Sequence, residues 1–410
     1  MAVTARHPSM AAGALKATSL ALGFVFLAVT GYLTLMAAVS PREVPASKAS
    51  TEALRRLSPG ELADAHAAAG AGFARNPLDA GSLRQISRIA EARGDQEAAE
   101  RLRLIAGDMQ PRALGIQAEA LAILLQRRDF AGAMTRLDGL VRARPGRAHD
   151  LFAIAAEIAA DPEGRNAVAT KLAARPPWRQ QFLARTISAG KPQVAQQIMS
   201  ELRSMGTPAS APELALLIGH HLKAGEIDAA YAAWLSSLGA EELKTVRLVY
   251  DGGFEHEIRS LGFDWTIEPA EGLSHRRFPR NTASMDMALQ LDFVDLGDSF
   301  ANLSQILRLR PGRYRLSGEV RFEGFQSPAG VAFRIHCLSG GKPSHLDETG
   351  QLPQSGQWIA FEKTLSVPAT GCTDQLLRLE SRGGAAAEGV TNGQLSLDNI
   401  AIDTLPALAP

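Results

Sequence analysis

The feature that most constrains this chain is a 34-residue spacing between three prolines in similar surroundings. Pro77, Pro111 and Pro145 each follow a polar residue at the end of an Ala- and Leu-rich stretch, and both 111 − 77 and 145 − 111 equal 34. A period of this length is typical of antiparallel helix pairs that stack side by side, because a single pair cannot bury its apolar stripe alone. We therefore predict an α-solenoid over residues 52–240.

The repeat resembles the tetratricopeptide motif in its period and in the placement of its turns. Small residues, Ala99 and Ala133, follow the mid-repeat turns, where two helices must approach closely, and later turns at Gly190 and Gly225 repeat after 35 residues. The signature aromatic residues of the motif are mostly missing. The resemblance implies about five helix pairs and a concave groove suited to a helix or extended peptide of a partner protein. The alternative is a rigid spacer without a partner.

The segment from Ala17 to Val39 carries no charged residue. As a helix it would be roughly 34 Å long, which is enough to cross the apolar core of a bilayer, about 30 Å thick. We predict a cytoplasmic N-terminal tail at 1–16, a transmembrane helix at 17–39 and a linker at 40–51. The alternative is a cleaved signal peptide, but its apolar region would be shorter, and Pro41 would follow the cleavage site at Ser40.

The number of cysteines helps to predict the cellular compartment of the chain. The basic residues on the two sides of the apolar segment are balanced, so they do not orient it. The two cysteines, Cys337 and Cys372, both lie in the last third of the chain. An even pair in an exported domain favours a disulfide, and two separate buried thiols are the alternative. We predict a single-pass protein of the inner membrane of a diderm bacterium, with most of the chain in the periplasm.

The composition changes after about residue 245, where aromatic and β-branched residues replace Ala and Leu. Apolar and polar residues then alternate, as in the run from Arg313 to Phe322, in which Tyr314 and Leu316 share one face. Turns occur at roughly ten-residue intervals, which indicates about eight short strands in a two-sheet sandwich. We predict an all-β jelly-roll sandwich at 246–404, followed by a short tail at 405–410.

The ends of this region carry a family resemblance. It opens with Asp251-Gly-Gly-Phe-Glu255, continues with Trp265 and Trp358, and closes with Leu397-Asp-Asn-Ile400. These residues resemble the carbohydrate-binding-module jelly rolls, a superfamily that includes galactose-binding-type sandwiches. Many members of that superfamily bind no sugar. The resemblance implies a structural calcium where the first and last strands meet, with Glu255 and Asp398 as its carboxylate ligands. Two carboxylates that only accept hydrogen bonds are the alternative.

Candidate glycan-binding residues follow from the chemistry of sugars, which offer apolar C–H faces and hydroxyl groups. Trp358 is out of phase with the core positions of its strand and is the candidate platform. Arg313 and Arg315, with Arg321, and Arg334, with His336, are expected to form a basic sheet face for an acidic glycan. A solvated sheet face is the competing interpretation.

Other function classes are disfavoured by what the sequence lacks. It has no G-x-S-x-G, P-loop, H-E-x-x-H or C-x-x-C motif, and 43 basic residues balance 43 acidic ones, which disfavours nucleic acid. The cluster of His345, Asp347 and Glu348 is assigned to an exposed loop. We expect a non-catalytic, membrane-anchored scaffold that takes part in polysaccharide assembly or export. A pure protein-interaction scaffold is the alternative, and a glycan-active enzyme is a third hypothesis.

Overall fold

The computed structural model describes residues 51–280, 286–297, 300–338, 343–382 and 389–406. The predicted transmembrane helix at 17–39 lies outside these residues. Within the described part of the chain, no helix is both long enough and apolar enough to span a bilayer. The chain divides into two compact units, one ending at Pro208 and one beginning at Ala209.

The first unit is helical, as the sequence predicts. Its described residues, 51–208, contain ten helices and one short 3-10 turn at Pro145–Arg147. The helices are α1 (Thr51–Arg55), α2 (Pro59–Arg75), α3 (Ala80–Ala92), α4 (Gln96–Met109), α5 (Leu114–Gln126), α6 (Phe130–Ala143), α7 (Ala148–Ile158), α8 (Pro162–Ala173), α9 (Arg179–Ser188) and α10 (Pro192–Ser204). The starts of α3, α5 and α7 are 34 residues apart, since 114 − 80 and 148 − 114 both equal 34. The assignment of these pairs to the tetratricopeptide motif stays a prediction.

Short polar side chains set the starts of these helices. Asp79, Asp95, Asp129 and Asp161 each occupy an N-cap, where the carboxylate accepts hydrogen bonds from backbone N–H groups of the first turn. Ser58 begins α2 with a reciprocal capping box. The helices then pack through small residues: Ala99, Ala106 and Ala133 are fully buried. Alanine at these positions lets neighbouring helix backbones approach closely.

The second unit combines three helices with the β-sandwich. The helices are α11 (Ala211–Lys223), α12 (Ile227–Ser237) and α13 (Ala240–Thr245). Both α11 and α12 fall within the solenoid predicted at 52–240, whereas their contacts group them with the sandwich. Trp234 of α12 explains the grouping, because its ring centroid lies 5.2 Å from that of Tyr250 and 5.8 Å from that of Phe263. These rings join the helix pair to the first loops of the sandwich.

The sandwich consists of two antiparallel five-stranded sheets, which confirms the predicted all-β architecture. Sheet A has the order β1-β4-β9-β6-β7 and sheet B the order β2-β3-β10-β5-β8. The strands are β1 (Thr266–Ile267), β2 (Leu273–Pro279), β3 (Met287–Gly297), β4 (Leu303–Leu307), β5 (Gly312–Gln326), β6 (Val331–Cys337), β7 (Ser344–Glu348), β8 (Ile359–Val367), β9 (Gln375–Ser381) and β10 (Val390–Leu405).

Three of these strands were not predicted from the sequence. β1 is two residues long, and β2 is an edge strand that carries three basic or imidazole side chains and ends in a proline. β7 contains His345, Asp347 and Glu348, which were assigned to a loop and instead pair with β6. Short or charged edge strands lack the apolar alternation that marks a strand in the sequence, because their outer side faces water.

The core of the sandwich lies between the two sheets and includes the cysteine pair. Trp265, Phe254 and Phe333 are among its largest fully buried side chains. Cys337, at the end of β6, and Cys372, before β9, are joined in a disulfide and are both buried. The bond links two segments that are 35 residues apart in the sequence.

Candidate functional site

The opening and closing motifs of the sandwich meet in the structure. The backbone N–H of Ile400 donates to the carbonyl oxygen of Gly252 at 2.9 Å. A Cβ atom on Gly252 would lie only 1.8 Å from the carbonyl oxygen of Ile400, so the close approach of the two segments requires glycine. The two motifs recognised in the sequence therefore form one junction between the entry and the exit of the sandwich.

Glu255 and Asp398, the predicted calcium ligands, both lie beside this junction. A Cβ atom on Gly253 would stand 3.6 Å from Glu255 Oε1 and 3.8 Å from Asp398 Oδ1. Two carboxylate oxygens are fewer than the six or more that calcium takes. Among the described residues, no group of three or more His, Cys, Asp or Glu side chains could hold a metal ion. The carboxylates fit part of a calcium site, and the ion stays a prediction.

An arginine supplies positive charge at the same place. Arg280 Nη1 donates to Asp398 Oδ2 at 2.6 Å and to Glu319 Oε2 at 2.5 Å, and its Nη2 donates to Glu319 Oε1 at 3.0 Å. Burial raises the pKa of Asp398 to about 6, although the hydrogen bond from Arg280 acts to lower it. The bond from Arg280 lowers the pKa of Glu319. The two carboxylates thus share one guanidinium group.

Arg280 also stacks on Trp358, the candidate platform residue. Its guanidinium carbon lies 4.4 Å from the centroid of the Trp358 ring. Arg321 of β5 lies 5.4 Å from the same ring and 5.6 Å from the ring of Phe278 in β2. The guanidinium carbon of Arg276, two residues before Phe278 in β2, lies 5.9 Å from the centroid of the Phe278 ring. Guanidinium groups and aromatic rings thus alternate across four contacts, each within the range of a cation–π interaction.

The strand register places these side chains on the outer face of sheet B. Arg276 pairs with Gln290, Gln290 with Ser396, and Ser396 with Arg321. Their chain neighbours on β3, β5 and β10, such as Leu289, lie in the core, so this row points the other way. We name this surface the arginine–aromatic face, defined by Arg276, Phe278, Arg280, Arg321 and Trp358.

Amide and carboxylate groups extend the arginine–aromatic face. Asp292 Oδ1 accepts from Gln290 Nε2 and from Gln394 Nε2, both at 2.7 Å. Gln290 also accepts from Arg276 at 3.1 Å. Planar polar groups beside partly exposed aromatic rings can match the hydroxyl groups and the C–H faces of a sugar. Gln290 is buried, so Asp292 and Gln394 are the partly exposed polar groups of this cluster.

The other predicted arginines are placed differently from the expectation of one basic face. Arg313 and Arg315 lie on the same side of β5 as Arg321, but Arg315 is six residues away, roughly 20 Å along a strand, where it pairs with Asp403 at 3.3 Å. Arg334 lies on β6, in the other sheet. The single basic face predicted from the sequence is therefore wrong, because alternation within a strand does not show which sheet the strand joins.

Arg334 belongs to an ion-pair network on sheet A. It donates to Glu348 at 2.9 Å and to Glu380 at 3.0 Å, and His336 Nε2 lies 2.6 Å from Glu380 Oε1. Burial acts to raise the pKa of Glu380, but hydrogen bonds from His336 and Arg378 and the charge of Arg378 lower it to about 2. These charges compensate one another, which leaves Arg334 engaged rather than available to a ligand.

Sequence reasoning missed Phe278, Arg276 and Arg280, although a local signal was present. The run Arg276-Arg277-Phe278-Pro279-Arg280 places one aromatic residue among three arginines. Because the run belongs to an edge strand with weak alternation, nothing in the sequence indicated which way Phe278 points. The pairing of Arg280 with Asp398, 118 residues away, is a tertiary contact.

Comparisons with known proteins concern the fold of the sandwich. No family model matches the chain, and no curated protein matches it. Among solved structures, the sandwich resembles carbohydrate-binding modules. A CBM4 module is 14% identical with a TM-score of 0.31, and the match covers 38% of this chain and 99% of that one. The CBM22-1 xylan-binding domain of Paenibacillus barcinonensis Xyn10C is 17% identical with a TM-score of 0.25, covering 35% and 87%.

A third solved structure, TmCBM61 in complex with β-1,4-galactotriose, is 17% identical with a TM-score of 0.25. That match covers 39% of this chain and 99% of that one. Identities and scores this low carry no argument about ligand or chemistry. Any function must therefore be argued from the residues of this chain.

Proposed function

We propose that this chain is a non-catalytic binding and scaffolding protein whose sandwich contacts a polysaccharide through the arginine–aromatic face. The observation that carries the proposal is the convergence of two aromatic rings, three guanidinium groups and the polar side chains of Asp292 and Gln394 on one side of sheet B. Glycans are bound by this combination because stacking fixes the plane of the ring and planar polar groups fix its hydroxyls.

The charge of the second unit favours an uncharged glycan at this face. Residues 209–410 contain 25 acidic and 17 basic residues. Each arginine of the face already contacts a polar neighbour, since Arg280 binds two carboxylates and Arg321 lies 3.1 Å from Glu323. A polyanion would therefore meet net negative charge. This differs from the acidic glycan expected from the sequence.

The proposal also assigns a partner to the helical unit and a cellular location to the chain. The helical unit holds a protein partner, and the segment at 17–39 anchors the chain in a bacterial inner membrane with its bulk in the periplasm. The disulfide between Cys337 and Cys372 supports an exported location, because such bonds persist in oxidising compartments. Assembly or export of envelope polysaccharide is the process that this combination suggests.

The test is affinity electrophoresis of the full-length chain through gels that contain neutral polysaccharides. The chain is purified in a polyoxyethylene detergent, which carries no sugar. We expect retardation in at least one neutral glycan, and Trp358→Ala should weaken it by roughly tenfold, as loss of a stacking contact does. Arg382→Ala, which changes a partly exposed arginine outside sheet B, is the matched control and should leave retardation unchanged.

A second function has one observation in its favour. The rings of Phe278 and Trp358 are already covered by guanidinium groups, so the face can serve as a cross-strand ladder that stiffens a purely protein-binding scaffold. In that case Trp358→Ala lowers the melting temperature, and no glycan retards the wild-type chain. A glycan-active enzyme stays a prediction to be tested by incubation with envelope polysaccharides, where new reducing or unsaturated ends would establish it.

A further inference from the structure

Four exposed arginines occupy successive connecting loops of the helical unit. Arg75 ends α2, Arg112 precedes α5, Arg144 follows α6 and Arg175 follows α8. Each loop joins the second helix of one pair to the first helix of the next. Within the described residues, none of the four has a carboxylate oxygen within 4 Å, whereas most arginines elsewhere in this unit do have one.

Contacts between the loops show that they lie along one edge of the helical unit. Arg144 Nη2 donates to the carbonyl oxygen of Arg112 at 3.0 Å, which joins the second loop to the third. Trp178 Nε1, beside the fourth loop, donates to Asp138 near the end of α6 at 2.9 Å. Beside the first loop, Phe73 packs in one apolar cluster with Ala113, which follows Arg112. We name this row the arginine edge, defined by Arg75, Arg112, Arg144 and Arg175.

Each loop of the arginine edge also contains a proline within two residues of its arginine. These are Pro77, Pro111, Pro145 and Pro176, three of which set the 34-residue period seen in the sequence. Proline fixes its backbone φ angle and so limits the motion of the loop. A partly ordered loop loses less conformational entropy when its side chain binds a ligand. The prolines therefore restrict the backbone from which the four arginine side chains extend.

Arg175 shows that the row is maintained at a conformational cost. Its φ angle is 50°, in the left-handed region where a residue with a Cβ atom costs about 1 kcal/mol or more. Glycine is the usual residue at such a helix end, and this chain uses it elsewhere, as at Gly190. Arg128, between α5 and α6, also has a positive φ, of 57°, so this cost is shared by arginines at both ends of the helices.

The opposite edge of the unit has a different charge pattern. There Arg128 pairs with Asp161 at 3.0 Å and with Glu163 at 2.9 Å, and Arg127 pairs with Glu100 at 2.5 Å. The positive charge of Arg127 and Arg128 is thus neutralised within the protein. The four arginines of the arginine edge differ from these two in having no carboxylate partner among the described residues, and residues 51–208 as a whole contain 22 basic and 17 acidic residues.

The chemistry of the arginine edge fits a linear anionic ligand. Neighbouring helix pairs are roughly 10 Å apart in a stack, so the four arginines span about 30 Å in a row. Among large apolar side chains of the edge, Leu78 is the exposed one. A stable protein interface or a membrane-surface helix needs more apolar contact than this. Guanidinium groups bind carboxylate or sulfate groups in a bidentate manner.

We propose that the arginine edge binds an extended acidic polysaccharide, whose carboxylate or sulfate groups pair with successive arginines. This site is separate from the arginine–aromatic face, which lies in the other unit and for which an uncharged glycan is proposed. The two sites would let one chain hold an anionic polymer and an uncharged glycan. Binding to the arginine edge should require a long polymer, because a short oligosaccharide reaches only one or two of the four arginines.

The test measures binding of fluorescent polygalacturonate to the full-length chain by anisotropy at low and high salt. Replacing the four arginines of the edge together by glutamine should weaken binding by roughly tenfold or more and flatten its salt dependence. The matched control replaces Arg56, Arg101, Arg127 and Arg128 by glutamine, which removes the same charge from other exposed positions. The control should retain most of the affinity, with circular dichroism showing that both variants are folded.

Several outcomes would overturn the proposal. Equal losses in the two variants would mean that only net charge matters. Absence of polygalacturonate binding by the wild-type chain would also reject it. Tighter, edge-dependent binding to single-stranded DNA or to vesicles rich in phosphatidylglycerol would assign the edge to nucleic acid or membrane instead. Trp358→Ala must leave polygalacturonate binding unchanged, so failure here and failure of the sandwich site are distinguished.

Discussion

The two units of this chain are stabilised in opposite ways. In the helical unit, alanines such as Ala99 and Ala133 are fully buried at the points where helices approach closely. In the second unit, large rings such as Trp234, Trp265 and Phe333 fill the core, and a disulfide links its loops. The helical unit should therefore be sensitive to added volume, and the second unit to removed volume.

The units differ in charge as well. Residues 51–208 have five more basic than acidic residues, and residues 209–410 have eight more acidic than basic ones, so the formal charge of zero for the chain hides two opposite surfaces. A net charge computed for a whole chain can therefore exclude a ligand that one of its units is suited to bind. The following predictions test these contrasts, beginning with the largest expected effect.

Trp234→Ala should cause the largest loss, about 3–5 kcal/mol, because it removes a buried ring that contacts Tyr250 and Phe263. Hydrogen exchange measured by mass spectrometry should show the loss in residues 209–410. Trp178→Ala, which removes a ring packed on Phe152, is the control and should destabilise the first unit. If Trp234→Ala instead loosened only the first unit, α11 and α12 would belong to the solenoid, as the sequence analysis assumed.

Replacing Cys337 and Cys372 by serine should cost about 2–4 kcal/mol in the second unit, because the disulfide closes a long loop of the unfolded chain. Urea denaturation with and without reductant measures this. The first unit contains no cysteine, so its transition should not respond to reductant. A thiol assay that finds two free sulfhydryl groups in the unreduced protein would contradict the bond.

Glu380→Gln should change the acid response of the second unit. The folded-state pKa of Glu380 is lowered from 4.5 to about 2, so its contribution to stability is present above pH 4.5 and is lost as the pH falls through about 2. The contribution is on the order of 2 kcal/mol. Thermal melts across this range should show a flatter curve for the variant. Glu362→Gln, at an exposed position, should keep the wild-type curve.

Ala133→Leu should destabilise the helical unit by about 1–3 kcal/mol, since the added side chain must force apart two helices in close contact. The same exchange at the exposed Ala131 of the same helix should have little effect. Hydrogen exchange should place the loss in residues 51–208. A larger effect in the second unit would contradict the division of the chain into two units.

Asp403→Asn should have the smallest effect, within about 1 kcal/mol, because its pair with Arg315 is exposed on both sides. Glu52→Gln, which removes the exposed pair with Arg56 in the helical unit, should behave in the same way. Equal, small shifts in the two melts would show that the contrast between the units lies in their cores. A shift of several kcal/mol from either change would contradict this.

Most of the architecture could be predicted from the sequence because it follows from local periodicity. The 34-residue spacing anticipated the helix starts at Ala80, Leu114 and Ala148, and alternation anticipated β5. The edge strands β2 and β7 were missed, since their polar composition hides the alternation. The grouping of α11 and α12 with the sandwich was also missed, because the ring contacts that cause it join residues distant in sequence.

The candidate site was predictable only in part. Trp358 was found from its phase relative to the core of β8, and it is partly exposed as expected. Its partners Arg280 and Arg321 come from different strands, so their stacking depends on strand order within sheet B. Arg334 was misplaced for the same reason, because a strand pattern indicates which residues share a face but not which strands are neighbours.

The backbone bond between Gly252 and Ile400 has a practical consequence for protein engineering. It brings the first and last segments of the sandwich side by side, so the chain enters and leaves the sandwich at neighbouring positions. A module with this geometry can be spliced into a surface loop of a host protein, or given new termini after its natural ends are joined by a short peptide. Grafting the sandwich in this way, together with α11 and α12, would allow its proposed ligand binding to be studied apart from the first unit.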